Sequence, residues 1–278
     1  MNDAALAPIG VFDSGIGGLT VLRSLLEHLP NERFIYLGDT ARVPYGGRSP
    51  QTILRYTQDA VAFLQKHNVK MLVIACNTAS AAAEQTLKAS LKIPVLGVIG
   101  PSATAACRVS LDGEIGVLAT RATVKMGAYE KAIKELQPSA NTYSQACPLF
   151  VPLVEEGWSD KNDEVASLVA KRYLLALQAK APGIDTLVLG CTHYPLIAAT
   201  IEREAKSIFK KPITIVSSGD AMAKAVELSL RTNQLSVTRA DNTSEKRLTC
   251  YVTDEAQVLE IGSQFLGQHL EKVQVVEL

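Results

Sequence analysis

A short pattern that occurs twice in the chain constrains its fold more than any other feature. In each copy an apolar run ends in a cysteine followed by two polar residues, and the copies read Met71-Leu-Val-Ile-Ala-Cys76-Asn-Thr78 and Thr186-Leu-Val-Leu-Gly-Cys191-Thr-His193. The similarity extends upstream, since Ile9-Gly-Val-Phe-Asp-Ser14 is similar to Ile115-Gly-Val-Leu-Ala-Thr120. Two separate matches in the same order indicate an internal duplication, although chance similarity between buried strands is the alternative.

Apolar runs alternate with helix-period segments along the chain, as is typical of parallel sheets covered by helices. The pattern predicts two pseudo-symmetric α/β lobes with mostly parallel sheets and the active site in the cleft between them. The first lobe is predicted to contain residues 1–98 and 211–278, and the second to contain residues 99–210. The predicted strands are Ile9–Phe12, Phe34–Leu37, Met71–Ala75, Val95–Ile99, Ile115–Leu118, Thr186–Gly190, Ile213–Val216, Leu248–Thr253 and Val273–Val276.

Charge and hydropathy exclude several classes of function. The 278 residues include 28 Lys plus Arg and 28 Asp plus Glu, so the net charge is zero and no overall field attracts nucleic acid or an anionic membrane surface. The N-terminus has neither a basic region nor a long apolar stretch, and no later apolar run has the length of a membrane span. We expect a cytoplasmic protein without membrane contact.

The cysteine pattern indicates free thiols. The five cysteines are odd in number and widely spread, with no Cys-x-x-Cys pair. This spacing is unlike a disulfide framework and unlike a structural zinc site. We therefore expect no metal site, and we expect the cysteines to remain thiols.

Two of the cysteines fall where ligands bind in α/β proteins, beyond the carboxyl ends of the strands. Cys76 precedes a helix predicted over residues 81–91, and Cys191 precedes one predicted over residues 196–209. The amides and the dipole at a helix N-terminus stabilise an anion, which makes a thiolate plausible near neutral pH.

Two thiols on opposite sides of a small molecule suit the inversion of a carbon acid, because one group removes a proton from one face and the other donates a proton to the opposite face. Three other interpretations remain open at this point. In the first, a single cysteine acts as a nucleophile and His193 is its base. In the second, both cysteines are inert core residues. In the third, His193 has only a structural role.

The segment Asp13-Ser-Gly15-Ile-Gly17-Gly18 is similar to a nucleotide-binding turn. Thr20 stands where the last glycine of that motif is expected, and Asp13 would repel a pyrophosphate. We therefore interpret the glycines as allowing close backbone approach to a smaller ligand.

The chain also resembles the glutamate racemases of the cofactor-independent aspartate/glutamate racemase superfamily. The resemblance spans nearly the whole chain. It is carried by ordered strings at 11–20 (VFDSGIGGLT), 38–47 (GDTARVPYGG), 75–79 (ACNTA), 147–155 (CPLFVPLVE) and 190–195 (GCTHYP).

The resemblance implies roles for individual residues. It implies that Cys76 and Cys191 are the acid/base thiols, that Asp13 and His193 assist them, and that Glu155 also belongs to the catalytic group. The residues implied to bind substrate are Asp13, Ser14, Asp39, Tyr45, Gly46, Asn77, Thr78, Thr120, Thr123, Thr192 and His193.

The resemblance implies further a cofactor-independent interconversion of L- and D-glutamate that supplies D-glutamate for peptidoglycan and the cell wall. The partners that it suggests are the substrate, a second copy in a homodimer, a cell-wall-precursor activator and DNA gyrase. Three other functions stay open: a racemase for aspartate or another small acid, a single-thiol isomerase or decarboxylase, and an amino-acid-binding protein. The polar stretch from Arg231 to Arg247 is predicted to be a surface loop.

Overall fold

The computed structural model describes residues 3–237, 247–256 and 258–278. In these ranges the strands are β1 Ile9–Asp13, β2 Phe34–Gly38, β3 Met71–Ile74, β4 Val95–Gly97, β5 Glu114–Ala119, β6 Asn141–Ala146, β7 Thr186–Gly190, β8 Thr214–Val216, β9 Leu248–Val252 and β10 Gln274–Val275. The α-helices are α1 Asp3–Leu6, α2 Leu19–His28, α3 Pro50–Gln65, α4 Asn77–Ser90, α5 Ile99–Val109, α6 Arg121–Met126, α7 Ala128–Leu136, α8 Phe150–Glu155, α9 Glu164–Gln178, α10 Ala198–Phe209, α11 Ser218–Thr232 and α12 Val258–Leu266. Short 3-10 helices cover Thr40–Arg42, Tyr45–Gly47 and Tyr194–Ile197.

The chain forms two compact units. The first contains Met1–Val98 and Gly219–Leu278, and the second contains Ile99–Ser218. The predicted boundary after residue 210 assigns residues 211–218 to the first lobe. The structure corrects this boundary, because β8 hydrogen-bonds to β7 in the sheet of the second unit.

Each unit has its own parallel sheet. The strand order is β10-β9-β2-β1-β3-β4 in the first unit and β6-β5-β7-β8 in the second, and every strand pair is parallel. Strands β1, β3 and β7 are buried along their whole length. Their continuous apolar sequences match this burial, since central parallel strands are covered on both faces.

The two sheets repeat one another in register as well as in order. In the first sheet Ile9 pairs with Met71, and Cys76 lies five residues after Met71. In the second sheet Ile115 pairs with Thr186, and Cys191 lies five residues after Thr186. The duplication seen in the sequence therefore corresponds to a repeated β-α structure with equivalent cysteine positions.

Strand β6 is absent from the sequence-based assignment. Its sequence, Asn-Thr-Tyr-Ser-Gln-Ala, is polar, and its residues are exposed or half-buried. The strand lies at the edge of the second sheet, next to β5 alone. An edge strand buries less surface than a central one, so it carries no apolar run for pattern reading to detect.

The predicted loop from Arg231 to Arg247 begins inside a helix, because α11 continues through Thr232. Residues 238–246 of that stretch lie outside the described residues. Among the helices that the structure describes, none is both long and apolar enough to cross a membrane.

Candidate active site

Cys76 lies two residues after β3 and is the N-cap of α4. Its sulfur accepts a hydrogen bond from the Ala79 amide at 3.4 Å, and the Ser14 hydroxyl lies 3.2 Å from the sulfur. Only 6% of the residue is exposed. The helix begins at Asn77 rather than at the predicted residue 81, so the thiol lies closer to the positive end of the helix dipole than we expected from sequence. This position stabilises a thiolate.

Asn77 and Thr78 form the first turn of α4, and both are buried. Ser14 follows β1 directly, and β1 is the neighbour of β3 in the sheet. The structure thus brings Ser14 to the Cys76 thiol from a distant part of the chain. The predicted contacts of these three residues with substrate stay predictions.

Asp13 ends β1, and its side chain is almost completely buried. One carboxylate oxygen accepts a hydrogen bond from the Gly15 amide at 3.0 Å. A Cβ atom at Gly18 would lie 2.4 Å from the Cβ of Asp13, so only glycine fits there. Gly18 therefore makes room for the Asp13 side chain, which differs from our interpretation that the glycines admit a ligand. The role of Asp13 as a helper to a thiol is still a prediction.

Asp39, Tyr45 and Gly46 lie in the loop that follows β2. The Asp39 carboxylate is fully buried and accepts hydrogen bonds from the Tyr45 hydroxyl at 2.5 Å and from Arg42 Nε at 2.6 Å. Gly46 is half-buried. The contacts described for Asp39 are with protein groups, and its predicted contact with substrate is not tested by them.

Cys191 follows β7 directly and is 7% exposed. Its sulfur lies 4.0 Å from Nδ1 of His193, and Nε2 of His193 lies 2.9 Å from a carboxylate oxygen of Glu155. Glu155 is the last residue of α8. The fold therefore brings three predicted catalytic residues of the second unit into one connected group.

The neighbours of His193 favour its protonated form. Burial lowers the pKa of His193, but the interactions with the Cys191 sulfur and the Glu155 carboxylate outweigh burial and raise this pKa to about 10. A charged imidazole has a proton on each nitrogen, so it donates toward both partners. The protonated imidazole places positive charge beside the Cys191 sulfur.

The helix predicted to begin at Leu196 starts later. Residues Tyr194–Ile197 form a 3-10 helix with Pro195 in its first turn, and α10 begins at Ala198. The predicted α-helix N-terminus next to Cys191 is therefore wrong. The charge near this thiol comes from His193 instead.

Three threonines complete the predicted set. Thr120 caps α6 by accepting a hydrogen bond from the Thr123 amide at 3.3 Å, and the two hydroxyls lie 3.0 Å apart. The Thr192 hydroxyl lies 3.5 Å from Nδ1 of His193. Their predicted role in binding a carboxylate is not tested by these contacts.

Comparison with known proteins identifies the family of this chain. The sequence profile of a family described as Asp/Glu/Hydantoin racemase matches residues 9–226. A glutamate racemase of Geobacter metallireducens is 45% identical over 272 residues, which make up 97% of this chain and 96% of that protein. The chain belongs to the Asp/Glu/Hydantoin racemase family.

Solved structures of the racemase family have the same fold. Glutamate racemase from Francisella tularensis subsp. tularensis SCHU S4, crystallised with D-glutamate, matches with a TM-score of 0.87 and 36% identity over 98% of each chain. Escherichia coli glutamate racemase, crystallised with L-glutamate and the activator UDP-MurNAc-Ala, matches with a TM-score of 0.70 and 27% identity over 97% of this chain and 99% of that chain. The predicted α/β class with mostly parallel sheets and the resemblance to glutamate racemases are both confirmed.

Two residues of this racemase-family chain that sequence reasoning did not single out contact the candidate site. Arg42 lies inside a motif that carries the resemblance, and its spacing of three from Asp39 is a signal that we did not use. Thr253 donates a hydrogen bond to Asp39 at 3.0 Å from a segment 214 residues away. No local signal identifies Thr253, because its position depends on β9 pairing with β2.

Proposed function

We propose that the protein interconverts L- and D-glutamate by moving the α-proton between two thiols, Cys76 and Cys191. The observation that carries the proposal is the equivalence of the two cysteines, which follow β3 and β7 at the same register. The two substrates of a racemase are mirror images at the reacting carbon. A racemase therefore needs an acid/base group on each face of that carbon. Two thiols, one for each enantiomer, meet this requirement.

The proposed reaction needs no oxidant, reductant or other co-reactant. A thiolate takes the α-proton, so the C–H bond breaks, an S–H bond forms, and the electron pair is shared between the α-carbon and the carboxylate. The second thiol then gives its proton to the opposite face of the carbon and becomes the thiolate. After one turnover the two cysteines have exchanged protonation states, and the enzyme is ready for the other enantiomer.

Charge stabilisation supplies the rest of the mechanism. The α-hydrogen of an amino acid is a weak acid, so fixed dipoles and charges must stabilise the carbanionic species. His193, held by Glu155, supplies positive charge near Cys191. At Cys76 the Ala79 amide and the Ser14 hydroxyl contact the sulfur. Both thiols are buried, which strengthens these interactions.

Glutamate is the proposed substrate because the family members described above act on it or were crystallised with it. The proposed contacts of substrate are those that the resemblance implies, with the exception of Asp39: Asp13, Ser14, Tyr45, Gly46, Asn77, Thr78, Thr120, Thr123, Thr192 and His193. Aspartate remains the second candidate, since the family description names it alongside glutamate.

The proposed biological role is the supply of D-glutamate for peptidoglycan in the cytoplasm. The free state of all five cysteines is compatible with a reducing compartment. Activation by a cell-wall precursor is proposed by analogy with the Escherichia coli relative that was crystallised with UDP-MurNAc-Ala. A homodimer and a contact with DNA gyrase stay predictions.

The deciding experiment is proton NMR of L-glutamate with the purified protein in heavy water, without cofactor, together with a chiral assay of the product. We expect loss of the α-proton signal and appearance of deuterated D-glutamate. Aspartate serves as the parallel substrate. Exchange on aspartate alone would change the proposed substrate, and absence of exchange on both acids would contradict racemisation of either.

A further inference from the structure

The Asp39 carboxylate joins three side chains from two chain segments of the first unit. It accepts hydrogen bonds from the Tyr45 hydroxyl at 2.5 Å, from Arg42 Nε at 2.6 Å and from the Thr253 hydroxyl at 3.0 Å. The side chain is fully buried. A carboxylate has about four acceptor positions, so these protein donors occupy most of the capacity of Asp39. Asp39 therefore holds the side chains of Tyr45, Arg42 and Thr253 in place.

Arg42 extends this junction toward α3. One of its terminal nitrogens donates to the Asp59 carboxylate at 2.9 Å, and its guanidinium lies 4.3 Å from the centre of the Tyr56 ring. Asp59 and Tyr56 both belong to α3. The planar guanidinium matches two carboxylates and an aromatic face at once, which lysine cannot do. Arg42 thereby ties the loop after β2 to a rigid helix.

Tyr45 is held in place on several sides. Its ring centre lies 5.6 Å from that of Tyr56 and 6.4 Å from that of Phe12, and the residue is 2% exposed. Burial first, and then the hydrogen bond to Asp39, raises the pKa of Tyr45 well above its usual value. The Tyr45 hydroxyl therefore stays protonated and donates to Asp39, and the position of Gly46 depends on this anchored neighbour.

Thr253 lies in the loop after β9 and is the third donor to Asp39. Its hydroxyl donates to Asp39 and also accepts a hydrogen bond from the Ala41 amide at 2.8 Å. The Thr40 hydroxyl donates to the Asp254 carbonyl at 2.5 Å. The loop after β9 therefore holds Asp39, Thr40 and Ala41 in place through polar contacts.

We infer that Asp39 and Arg42 are positioning residues, which hold the Tyr45–Gly46 turn in its binding geometry without touching the substrate. The inference rests on the proposed function, in which that turn contacts glutamate. Loosening the turn weakens binding of substrate and leaves the proton transfers at the thiols nearly intact. The expected signature is an increase in KM with little change in kcat.

The test compares Asp39→Asn, Tyr45→Phe and the double variant. Asparagine keeps the size of Asp39 but loses its charge, and phenylalanine removes one oxygen atom. We expect each single variant to raise KM about tenfold, with kcat within about threefold of the wild type. The double variant should raise KM no more than the more severe single variant, because both changes act on the same hydrogen bond.

Asp185→Asn is the matched control. The Asp185 carboxylate also has three protein donors, which are the Ser110 hydroxyl at 2.7 Å and the amides of Leu111 at 2.8 Å and Asp112 at 2.7 Å. It precedes β7, at the opposite end of that strand from Cys191. We expect this variant to leave KM within about twofold, since its hydrogen bonds fix a turn far from any predicted substrate contact.

Amide hydrogen exchange of residues 40–48 provides a readout that does not depend on activity. We expect faster exchange in Asp39→Asn and Tyr45→Phe and unchanged exchange in Asp185→Asn. Effects on KM that multiply in the double variant, or unchanged KM and exchange in Tyr45→Phe, would overturn the inference. If the wild type itself moves no α-proton, the proposed function fails, and the exchange data alone decide whether Asp39 holds the turn.

Discussion

Cys76 and Cys191 occupy equivalent strand positions in the two units but have different neighbours. Cys76 caps a long α-helix and has a backbone amide and a hydroxyl near its sulfur. Cys191 precedes a turn and has a charged imidazole that a carboxylate holds in place. The backbone of the duplicated element is thus repeated more faithfully than the polar groups around the thiols.

Under the proposed mechanism, this difference means that one requirement, stabilising a thiolate, has two physical solutions. A helix N-terminus uses backbone dipoles that are inseparable from the fold. A His-Glu pair uses side chains, so it responds to pH and to single substitutions. Racemisation has an equilibrium constant of one, so a change at either thiol lowers kcat/KM equally in both directions. The two solutions are therefore best separated by substitution and by exchange experiments.

Removal of either thiol should have the largest effect. We expect Cys76→Ala and Cys191→Ala each to lower racemisation by about 10³-fold or more, because each loses one acid/base group. With one thiol left, each variant should exchange the α-proton of one enantiomer only, and the two variants should act on opposite enantiomers. Proton NMR in heavy water with each enantiomer measures this. Near-normal turnover by either variant, or exchange of the same enantiomer by both, contradicts the two-base mechanism.

Replacement of the groups next to the thiols should have a smaller and unequal effect. We expect His193→Gln to lower kcat/KM about 10- to 100-fold and Ser14→Ala about 2- to 10-fold, since charged hydrogen bonds contribute more than neutral ones. Steady-state kinetics in both directions provides the comparison. Equal losses in the two variants would show that the charge on His193 is not what distinguishes the second thiol.

The pH dependence of stability provides a comparison that does not depend on activity. The folded protein holds the pKa of His193 at about 10 against an ordinary value of 6.5. Protonation of His193 therefore stabilises the fold fully below about pH 6.5, and this contribution is lost as the pH rises to about 10. We expect the free energy of unfolding in urea to fall more between pH 7 and 10 for the wild type than for His193→Gln.

Glu155→Gln sharpens the same comparison. Without the carboxylate, the pKa of His193 should move down, and its NMR titration should occur at lower pH than in the wild type. The stability difference between pH 7 and 10 should shrink accordingly. An unchanged His193 titration in this variant would indicate that Glu155 does not support the imidazolium.

Much of the fold was predictable because its central strands are apolar along their whole length. Strands β1, β3, β5 and β7 were assigned to within two residues at each end, and the duplication of β1 and β3 as β5 and β7 was visible in the letters alone. Strand β6 was not predicted, because it is an edge strand with polar residues and has no apolar run that marks it in the sequence. The boundary at residue 218 was missed because it depends on which sheet β8 joins.

The sequence by itself determined the α/β class, the family resemblance and the position of each cysteine at a strand end, since these follow from local apolar patterns and contiguous motifs. Only the tertiary structure decided the partners of those residues. Glu155 reaches His193 across 38 residues, Ser14 reaches Cys76 across 62, and Thr253 reaches Asp39 across 214. Such contacts depend on the order of strands in a sheet, which sets distances between residues that no local pattern connects.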